Sequence, residues 1–505
     1  MMLVIIAIVL QLCITFLLPY IVNHFFPLRF NQIVVPIDTI FTLCGIILFI
    51  YIINTDMTVE GKLSWAVLVL LFPLLGIICY FIFIRRKAPK KHRKYYKKVA
   101  EDIKPFQVRY DDEERQLREA LGDRFDQFEY IFKTTGFKTF DNTEVKYLRM
   151  GEIFFEELKE ELNKAERYIF MEYFIIERGK MWDEIVSILK KKVKAGVEVR
   201  VMYDDLGTIK KLPSNFARKL TKSGIKCVKF NSFIPIVSAV HNNRDHRKIT
   251  VIDGKVGFVS GLNIADEYIN VVQKYGTWKD TGVKLKGSAV KNLLMLFMQL
   301  YCVQNQRVED FSTYFSNEIT AVNSSGYVCP YGDGPKYLYN ENIAENVYLN
   351  MIYSAKKYLW ITTPYLILDN RLTTALCSAA RRGVDVRIVT PHIPDKKIIF
   401  KLTRSNYKVL LEAGVKILEY SKGFIHSKQV LCDDDLAIVG TINFDYRSLL
   451  HHYEVGVLMY KTDCLISMKS DFNHIFTDCI DMKNFKQKTF TRLLCAIIKI
   501  FTPML

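Results

Sequence analysis

The sequence lacks the cysteine spacing that is typical of metal-binding or redox domains. Its 11 cysteines are scattered, with no CxxC pair and no cluster of cysteine and histidine at the spacing of zinc ligands. Cysteines outside small secreted domains are usually buried as small apolar side chains, so we expect reduced thiols here. The pattern argues against a disulfide framework and against a structural zinc site.

The chain has fewer acidic than basic side chains. The chain has 53 aspartate and glutamate residues against 70 lysine and arginine residues, which gives a formal net charge of +17. This excess predicts attraction to anionic partners, but charge alone does not separate nucleic acid from a membrane surface. With 505 residues, of which 50% are hydrophobic and 13% aromatic, the chain is expected to form about two to four folded domains rather than to be disordered.

Charged residues are nearly absent from three stretches near the N-terminus. Residues 3–22 and 64–84 contain none, and residues 33–53 contain only Asp38, close enough to the end to reach the interface. Each stretch is long enough to cross a bilayer as a helix. The first also lacks a basic segment before it and a small-x-small cleavage pattern after it, which favours an uncleaved anchor over a signal peptide. We therefore expect a membrane anchor over residues 1–90, with transmembrane helices at about 3–22, 33–53 and 64–84.

A basic flank follows the last apolar stretch. The run from Arg85 to Lys98 contains no acidic residue, and by the positive-inside rule it is cytoplasmic. Three crossings then place the loop with Asp56 and Glu60 outside. The flank would also lie favourably on anionic headgroups, and it leads into a connector over residues 91–140.

One stretch beyond the connector predicts a β-hairpin with two cationic side chains on one face. Apolar, β-branched residues flank Asp253-Gly254, a dipeptide that tolerates the positive φ of a tight turn. Side chains two residues apart on a strand point to the same side, so His246 and Lys248 face one point, which would suit a phosphate. Taken alone, such a pair is most often part of a solvated surface strand.

A second copy of this motif makes the surface interpretation untenable. His426, Lys428 and Asp433 repeat the spacing of the first motif at an offset of 426 − 246 = 180 residues. Short apolar strands alternate with helical stretches before both copies, which predicts α/β layers. The period is too long for a solenoid.

The repeat therefore indicates two homologous lobes. We place the first lobe at residues 141–317, with its motif at about 240–267, and the second at residues 318–482, with its motif at about 420–447. A tail over residues 483–505 has apolar residues at three- and four-residue steps. It could lie in the membrane interface as an amphipathic helix, or it could pack against the core.

Two lobes with one motif each predict two half-sites that meet across a pseudo-twofold axis. One imidazole would attack phosphorus and form a phosphohistidine while the other protonates the leaving alkoxide, and the roles reverse when an acceptor alcohol arrives. Lys248, Lys428, Asn263 and Asn443 would donate hydrogen bonds to the phosphate oxygens as negative charge builds. This chemistry requires no metal or other cofactor.

Each histidine is expected to have an acidic partner. A carboxylate on the second ring nitrogen fixes the tautomer of an imidazole, and each lobe places one acid on a strand after its own hairpin. We predict that Asp280 orients His246 and that Glu454 orients His426.

The motif aspartates, Asp253 and Asp433, are expected to have a structural role. Both lie an odd number of residues beyond the motif lysine, at the turn, so strand parity points them away from the phosphate. We expect them to brace the motifs, for example through a buried ion pair.

These motifs resemble the HxKx4D signature of the phospholipase D superfamily, over about residues 140–480. Within it the chain is similar to bacterial cardiolipin synthases, in the apolar segments, the basic flank and the motifs at 242–248, 261–268 and 363–365. The resemblance implies an α/β fold of two homologous phospholipase D-like α-β-α sandwich lobes with pseudo-twofold symmetry, preceded by N-terminal transmembrane helices.

The resemblance also implies an activity. Family members transfer a phosphatidyl group between two phosphatidylglycerol molecules, giving cardiolipin and glycerol, at the bacterial cell membrane. It implies a multi-pass protein with cytoplasmic catalytic lobes, His246 as the nucleophile and His426 as the general acid and base. The chain departs from the family in the extra span at 3–22, in Ser260-Gly261 where two glycines are usual, and in Asp245 where Asn is common. A carboxylate beside His246 would raise its pKa.

Two other functions compete with this one. A phospholipase D-type hydrolase or a nuclease would use the same motifs, although apolar spans directly before the lobes favour substrates in the bilayer, and no nucleic-acid partner is expected. A non-catalytic scaffold that only binds anionic lipid would be expected to have a broken motif, and both copies are intact. The sequence leaves the oligomeric state open.

Overall fold

In a computed structural model of the chain, the structure describes residues 35–83, 90–232, 243–315 and 324–502, with His24 and Val322. The predicted span at 3–22 lies outside these residues. The chain divides into two compact units: one contains the N-terminal and C-terminal helices, and the other contains the connector and both lobes.

The N-terminal unit begins with three apolar helices. They are α1 (Val35–Ile53), α2 (Val59–Leu71) and α3 (Pro73–Phe83). Among the described residues, α1 is the one helix long and apolar enough to cross a membrane, over Pro36–Ile53. It agrees with the span predicted at 33–53.

The predicted span at 64–84 is wrong, because the chain breaks at Phe72. Pro73 has no N–H and disfavours a helical conformation at the residue before it, and Phe72 has φ −136° and ψ 70°. The separate helices α2 and α3, of 13 and 11 residues, are roughly 20 and 17 Å long against an apolar bilayer core of about 30 Å. Neither can cross alone.

Helices α2 and α3 fold back on each other as a helical hairpin. A Cβ at Gly76 would lie 2.5 Å from the Cα of Val69, so the glycine allows the two backbones to touch. The rings of Trp65 and Tyr80 meet edge to face at 5.2 Å between centroids. A continuous helix would hold both pairs far apart, so these contacts define the hairpin.

The connector forms three helices, α4 (Lys90–Ile103), α5 (Asp111–Leu121) and α6 (Phe125–Thr135), and as a whole it contacts both lobes. Val99 and Ile103 of α4 are buried in the core, where α4 packs against a helix of the first lobe. Just before α6, the guanidinium of Arg124 forms an ion pair with Asp435 of the second lobe at 2.9 Å. The connector thus fastens the two lobes together.

The first lobe is a seven-stranded mixed sheet in the order β1-β8-β6-β5-β2-β3-β4, with β2, β3 and β4 parallel. Its strands are β1 (Thr143–Leu148), β2 (Tyr168–Tyr173), β3 (Glu198–Asp204), β4 (Lys226–Phe230), β5 (Lys248–Ile252), β6 (Val256–Ser260) and β8 (Gly282–Gly287), and a short β7 (Thr277–Lys279) lies outside the sheet. Its helices are α7 (Gly151–Lys164), α8 (Lys180–Lys194), α9 (Asp205–Thr208), α10 (Phe216–Lys222) and α11 (Val290–Asn305).

The second lobe repeats this arrangement as an eight-stranded sheet in the order β19-β13-β12-β10-β15-β16-β18-β9. Its strands are β9 (Tyr327–Asp333), β10 (Tyr358–Thr362), β12 (Asp385–Pro391), β13 (Lys416–Tyr420), β15 (Gln429–Cys432), β16 (Leu436–Gly440), β18 (Glu454–Tyr460) and β19 (Cys479–Asp481), with β11 (Leu366–Ile367), β14 (Gly423–Ile425) and β17 (Phe444–Asp445) outside the sheet. Its helices are α12 (Lys336–Tyr339), α13 (Ile343–Ser354), α14 (Asn370–Arg381), α15 (Lys397–Ser405), α16 (Tyr407–Glu412), α17 (Tyr446–Leu450) and α18 (Cys464–Thr477).

The two sheets match strand for strand, apart from the additional β19. Each motif forms a hairpin, β5–β6 or β15–β16, as the sequence predicts. Helix α11 is almost wholly buried and packs against β5 of one sheet and β9 of the other. The apolar core is therefore shared between the lobes, and the predicted α/β fold of two homologous lobes is confirmed.

The C-terminal tail ends in α19 (Thr489–Phe501), which packs on the helical hairpin of its own unit. The hydroxyl of Ser64 in α2 donates a hydrogen bond to the carbonyl of Ile500. Phe490, Leu493 and Ile497 remain exposed, whereas Cys495 is buried. Of the two predicted alternatives for the tail, this exposed apolar face favours the interfacial helix over a core helix.

Candidate active site

The two motif histidines lie where the lobes meet. Strands β7 and β14 pair in parallel across the interface, and the backbone N–H of His426 donates to the carbonyl of Lys279 at 2.7 Å. In the other half, the backbone N–H of His246 donates to the carbonyl of Tyr453 at 2.9 Å. Each histidine is thus fixed to a backbone of the opposite lobe, and both motifs contribute to one site.

Each histidine is oriented by the carboxylate of the opposite lobe. Nδ1 of His246 lies 2.9 Å from Oε1 and 3.0 Å from Oε2 of Glu454, and Nδ1 of His426 lies 2.6 Å from Oδ2 of Asp280. The residues predicted to orient the histidines do so, but the predicted pairing, Asp280 with His246 and Glu454 with His426, is wrong.

The physical reason for the crossing is the strand pairing at the interface. The His246 backbone is hydrogen bonded to Tyr453. The next residue, Glu454, therefore lies beside the imidazole, with its carboxylate in contact with Nδ1. Lys279 and Asp280 stand in the same relation to His426. Sequence order suggested pairing within a lobe, but twofold symmetry allows either arrangement.

Both imidazoles are neutral near pH 7. Burial lowers the pKa of His246 well below its usual value, and the cations of Lys248 and Lys428 lower it further. Burial, together with Lys428, lowers the pKa of His426 to about 4, although Asp280 opposes the shift. With Nδ1–H donated to a carboxylate, each ring presents its Nε2 lone pair to the substrate.

The two motif lysines are buried beside the histidines. Their ammonium groups donate to the carbonyls of His246 and His426 respectively. Burial lowers the pKa of Lys248 to about 7 and that of Lys428 to about 8. Because an anionic phosphate would stabilise the charged form of both, the site is suited to bind a phosphodiester.

The predicted effect of Asp245 is not found, because the pKa of His246 is lowered rather than raised. The carboxylate of Asp245 accepts a hydrogen bond from the backbone N–H of Arg247 at 3.2 Å and lies 3.4 Å from the Arg247 guanidinium. Arg247 also pairs with Glu172 at 2.6 Å. Asp245 is therefore neutralised within its own lobe and does not act on the imidazole next to it.

The predicted phosphate ligands Asn263 and Asn443 differ from each other. Oδ1 of Asn263 accepts from the backbone N–H of Ile175 at 2.9 Å, and its amide donates to Tyr268 at 2.6 Å. Asn263 is thus held in place by contacts within its own lobe, and its assignment to phosphate stays a prediction. Asn443 is buried, and its Oδ1 has no hydrogen-bond partner among the described residues, so its role remains a prediction.

The motif aspartates brace the hairpins, as we expected. Asp253 accepts three backbone N–H groups, from residues 166 to 168, at 2.8 Å each. Asp433 accepts three from residues 356 to 358, at 2.7 to 2.9 Å, and pairs with Arg124 at 3.2 Å. The ion pair is buried, and the carboxylates fix each hairpin to the start of the neighbouring strand of its sheet, β2 or β10.

One residue of the site, His452, was not predicted as functional. Its ring centroid lies 5.5 Å from that of His246, and its Nδ1 lies 3.6 Å from Oε1 of Glu454. A ligand atom of each of these three residues lies within 4.8 Å of the others, so the group could hold a metal ion. The signal in the sequence was its position, two residues before the acid, where the first lobe has Trp278.

Sequence comparisons find relatives for both lobes and for the N-terminal segment. The family described as "Cardiolipin synthase, PLD-like domain" matches residues 158–275 and 348–476, and the family "Phospholipase_D-nuclease N-terminal" matches residues 45–85. A cardiolipin synthase of Alkalihalophilus pseudofirmus is 34% identical over 476 residues, covering 93% of this chain and 94% of that protein. Cardiolipin synthase 2 of Bacillus anthracis is 35% identical over 462 residues, covering 88% and 86%.

The fold has a counterpart among solved structures. The crystal structure of phosphatidylserine synthase from Haemophilus influenzae matches with a TM-score of 0.56 at 14% sequence identity, and the match covers 75% of this chain and 97% of that one. At this identity the match supports the fold alone. Taken with the two matched domains and the full-length relatives, it leads to one conclusion: the chain belongs to the cardiolipin synthase family of phospholipase D-like proteins.

Proposed function

We propose that this protein transfers a phosphatidyl group from one phosphatidylglycerol molecule to a hydroxyl of another, forming cardiolipin and glycerol. The observation that supports this most is the pair of neutral, carboxylate-oriented imidazoles facing two buried lysines. The site offers two nucleophilic nitrogens and two cations, which are the groups that a double displacement at a phosphodiester uses.

In the first step, Nε2 of His246 attacks phosphorus. A P–N bond forms, the P–O bond to the headgroup glycerol breaks, and His426 gives a proton to the departing alkoxide. Since His426 is largely neutral in the free protein, the bound anion must raise its pKa so that it carries that proton. Lys248 and Lys428 stabilise the negative charge on the non-bridging oxygens.

In the second step, a hydroxyl of the second phosphatidylglycerol gives its proton to His426, and its oxygen attacks phosphorus. The P–N bond breaks and His246 is restored. The overall exchange of one ester for another is reversible. The assignment of His246 as the nucleophile follows the family resemblance, since the two half-sites have the same geometry at the histidine and its acid.

The location we propose is the bacterial cell membrane, with both lobes on the cytoplasmic side. Helix α1 supports membrane attachment, and the basic run from Arg85 to Lys98 supports the orientation. A substrate in the bilayer fits this location better than nucleic acid does. Cardiolipin synthases among the relatives favour an alcohol over water as the acceptor.

The test uses the purified protein in phosphatidylglycerol vesicles. We expect cardiolipin and free glycerol in equal amounts, with turnover lost when His246 or His426 is replaced by Ala and retained in the presence of a chelator of divalent metals. Phosphatidic acid as the main product would identify a hydrolase. Cleavage of DNA or RNA without lipid turnover would identify a nuclease, and lipid binding without any product would identify a scaffold.

A further inference from the structure

His452 has no role in the proposed reaction. Its side chain is 11% exposed, and neither ring nitrogen has a hydrogen-bond partner within the described part of the chain. A buried imidazole without partners is costly, because the unmet hydrogen bonds are lost on folding. A ligand that uses these nitrogens would explain its presence.

The pseudo-twofold symmetry shows that the chemistry does not need an imidazole at this position. Trp278 and His452 each lie two residues before the acid that orients the opposite histidine. Trp278 packs beside His426, with 5.2 Å between ring centroids, as His452 packs beside His246. The half-site of His426 has the same histidine, lysine and acid without a second imidazole. His452 is thus an addition to one half of the site.

We propose that His246, His452 and Glu454 form a binding site for a transition-metal ion of the zinc type, and that the ion switches the enzyme off. Two imidazoles and one carboxylate are a ligand set that Zn²⁺ uses when a fourth position stays open, whereas Mg²⁺ and Ca²⁺ prefer oxygen ligands. Ligand atoms of a tetrahedral zinc site lie about 3.3 Å apart. Here the ligand atoms all lie within 4.8 Å of one another, and Oε1 of Glu454 lies 2.9 Å from Nδ1 of His246 and 3.6 Å from Nδ1 of His452.

The position of the ion explains why it would inhibit. Nδ1 of His246 now donates its proton to Glu454, and Oε1 of Glu454 also faces Nδ1 of His452. An ion between them takes the lone pair of Nδ1, so the proton of the neutral ring moves to Nε2. No proton is gained or lost in this exchange, but Nε2 no longer has a lone pair for phosphorus. The nucleophile is blocked without leaving its place.

Charges around the site allow a cation to enter. The ammonium groups of Lys248 and Lys428 oppose it, while Glu454 and Asp280 offset them. The nearby guanidinium of Arg447 interacts with the carboxylate of Asp445. Glu454 itself is held by a hydrogen bond from the hydroxyl of Thr441 to its Oε2, which leaves Oε1 directed at the two imidazoles. The carboxylate is therefore pre-oriented as a ligand.

The experiment compares the full-length protein with His452→Asn, which removes one ligand and keeps a polar side chain of similar size. Bound zinc is measured by mass spectrometry of the metal after equilibration with ZnCl2 in a zinc buffer. Turnover of phosphatidylglycerol is measured over the same range of free zinc, and separately with MgCl2. We expect one more zinc per chain in the unsubstituted protein, and a zinc concentration for half inhibition at least about tenfold lower than in His452→Asn.

His452→Gln serves as a second variant in case the first folds poorly. The turnover of each variant without zinc serves as its own baseline, and inhibition is compared as a fraction of that baseline. Equal zinc content, or equal inhibition of all three proteins, would overturn the proposal. The metal measurement needs no substrate, so it remains decisive even if the protein proves not to make cardiolipin.

Discussion

The imidazole of His246 and the carboxylate of Glu454, 2.9 Å apart, belong to different lobes and are 208 residues apart in the chain. The equivalent contact between His426 and Asp280 is 2.6 Å long. Here the second lobe supplies the histidine and the first lobe supplies the acid. The two contacts are exchanged across the pseudo-twofold axis. As a result, each half of the reaction depends on both lobes.

The crossed contacts predict opposite phenotypes for the two acids. Asp280→Asn should impair the proposed general acid, His426, and reduce turnover of phosphatidylglycerol on the order of 10²- to 10⁴-fold. A phosphatidyl nitrophenyl ester has a leaving group that needs no proton, so its first nitrophenol burst should slow by no more than about tenfold. Glu454→Gln should slow the burst and the turnover alike, because it acts on the nucleophile.

The measurement is rapid mixing of each variant with the nitrophenyl ester, beside steady-state turnover of phosphatidylglycerol. Asp434→Asn, a change at an exposed residue, controls for the loss of a carboxylate elsewhere. If Asp280→Asn lost the burst and Glu454→Gln kept it, each acid would act on the histidine of its own lobe, contrary to the structure.

Replacing His426 by Ala should trap the intermediate. With the nitrophenyl ester the first step proceeds, but no base remains to activate the acceptor, so a phosphatidyl group should accumulate on His246. Peptide mass spectrometry at neutral or alkaline pH, where the P–N bond survives, locates it. No adduct is expected in His246→Ala. An adduct on His426 in that variant would assign the nucleophile to the second motif.

The lysines predict the alkaline side of the pH profile. The pKa of Lys248 is lowered to about 7 and that of Lys428 to about 8, so phosphate binding is strongest when both are protonated. The value of kcat/KM should therefore fall as pH rises through 7 to 8. Because the bound anion raises both pKa values, the decline of kcat should begin at higher pH. A kcat/KM that stays flat up to about pH 9.5 would contradict this reasoning.

The motif aspartates predict a loss of stability. Asp433→Ala removes the acceptor of three backbone N–H groups and one partner of Arg124, which should destabilise the protein by about 3 kcal/mol or more. The unfolding temperature in detergent should fall on the order of 5 to 10 °C. Asp434→Ala, at the exposed neighbour, carries the same cost of a positive φ, 66° against 51°, and should lower the unfolding temperature much less. Equal shifts for both variants would show that the buried contacts add nothing.

The helical hairpin predicts the side of the membrane on which Asp56 lies. Since α2 and α3 fold back on each other, the residues before α2 emerge on the same side as the basic flank after α3. Asp56→Cys should therefore be modified by an impermeant maleimide in inverted vesicles and not in intact cells, as should Lys90→Cys. If position 56 were labelled only in intact cells, it would lie outside the cell. The chain would then cross the membrane between positions 56 and 90, contrary to the hairpin.

Local chemistry predicted most of the fold. The turn at Asp253 and Gly254 has φ values of 55° and 69°, the positive angles that the Asp-Gly dipeptide tolerates. The duplicated motifs gave the two lobes and brought the histidines and lysines together, since their spacing within a strand fixes their direction.

What the sequence did not predict depends on contacts between distant segments. The pairing of His246 with Glu454 arises from backbone hydrogen bonds across the lobe interface. The spacing of residues along the sequence does not predict which lobe supplies the acid. The length of the apolar stretch at 64–84 favours one helix, whereas Pro73 favours a break in the helix at Phe72. The length alone therefore does not predict the hairpin. The contacts of Asn263 with Ile175 and Tyr268 are likewise tertiary, and its position after the motif does not predict them.

The exchanged carboxylates bear on how such a site can exist in a cell. A lobe alone would present a histidine without its acid, and only a symmetric pair of lobes would complete the site. Separate polypeptides would have to find each other in the membrane, and their activity would fall with dilution. Joining both lobes in one chain makes that encounter intramolecular, so that each molecule is competent by itself at any copy number.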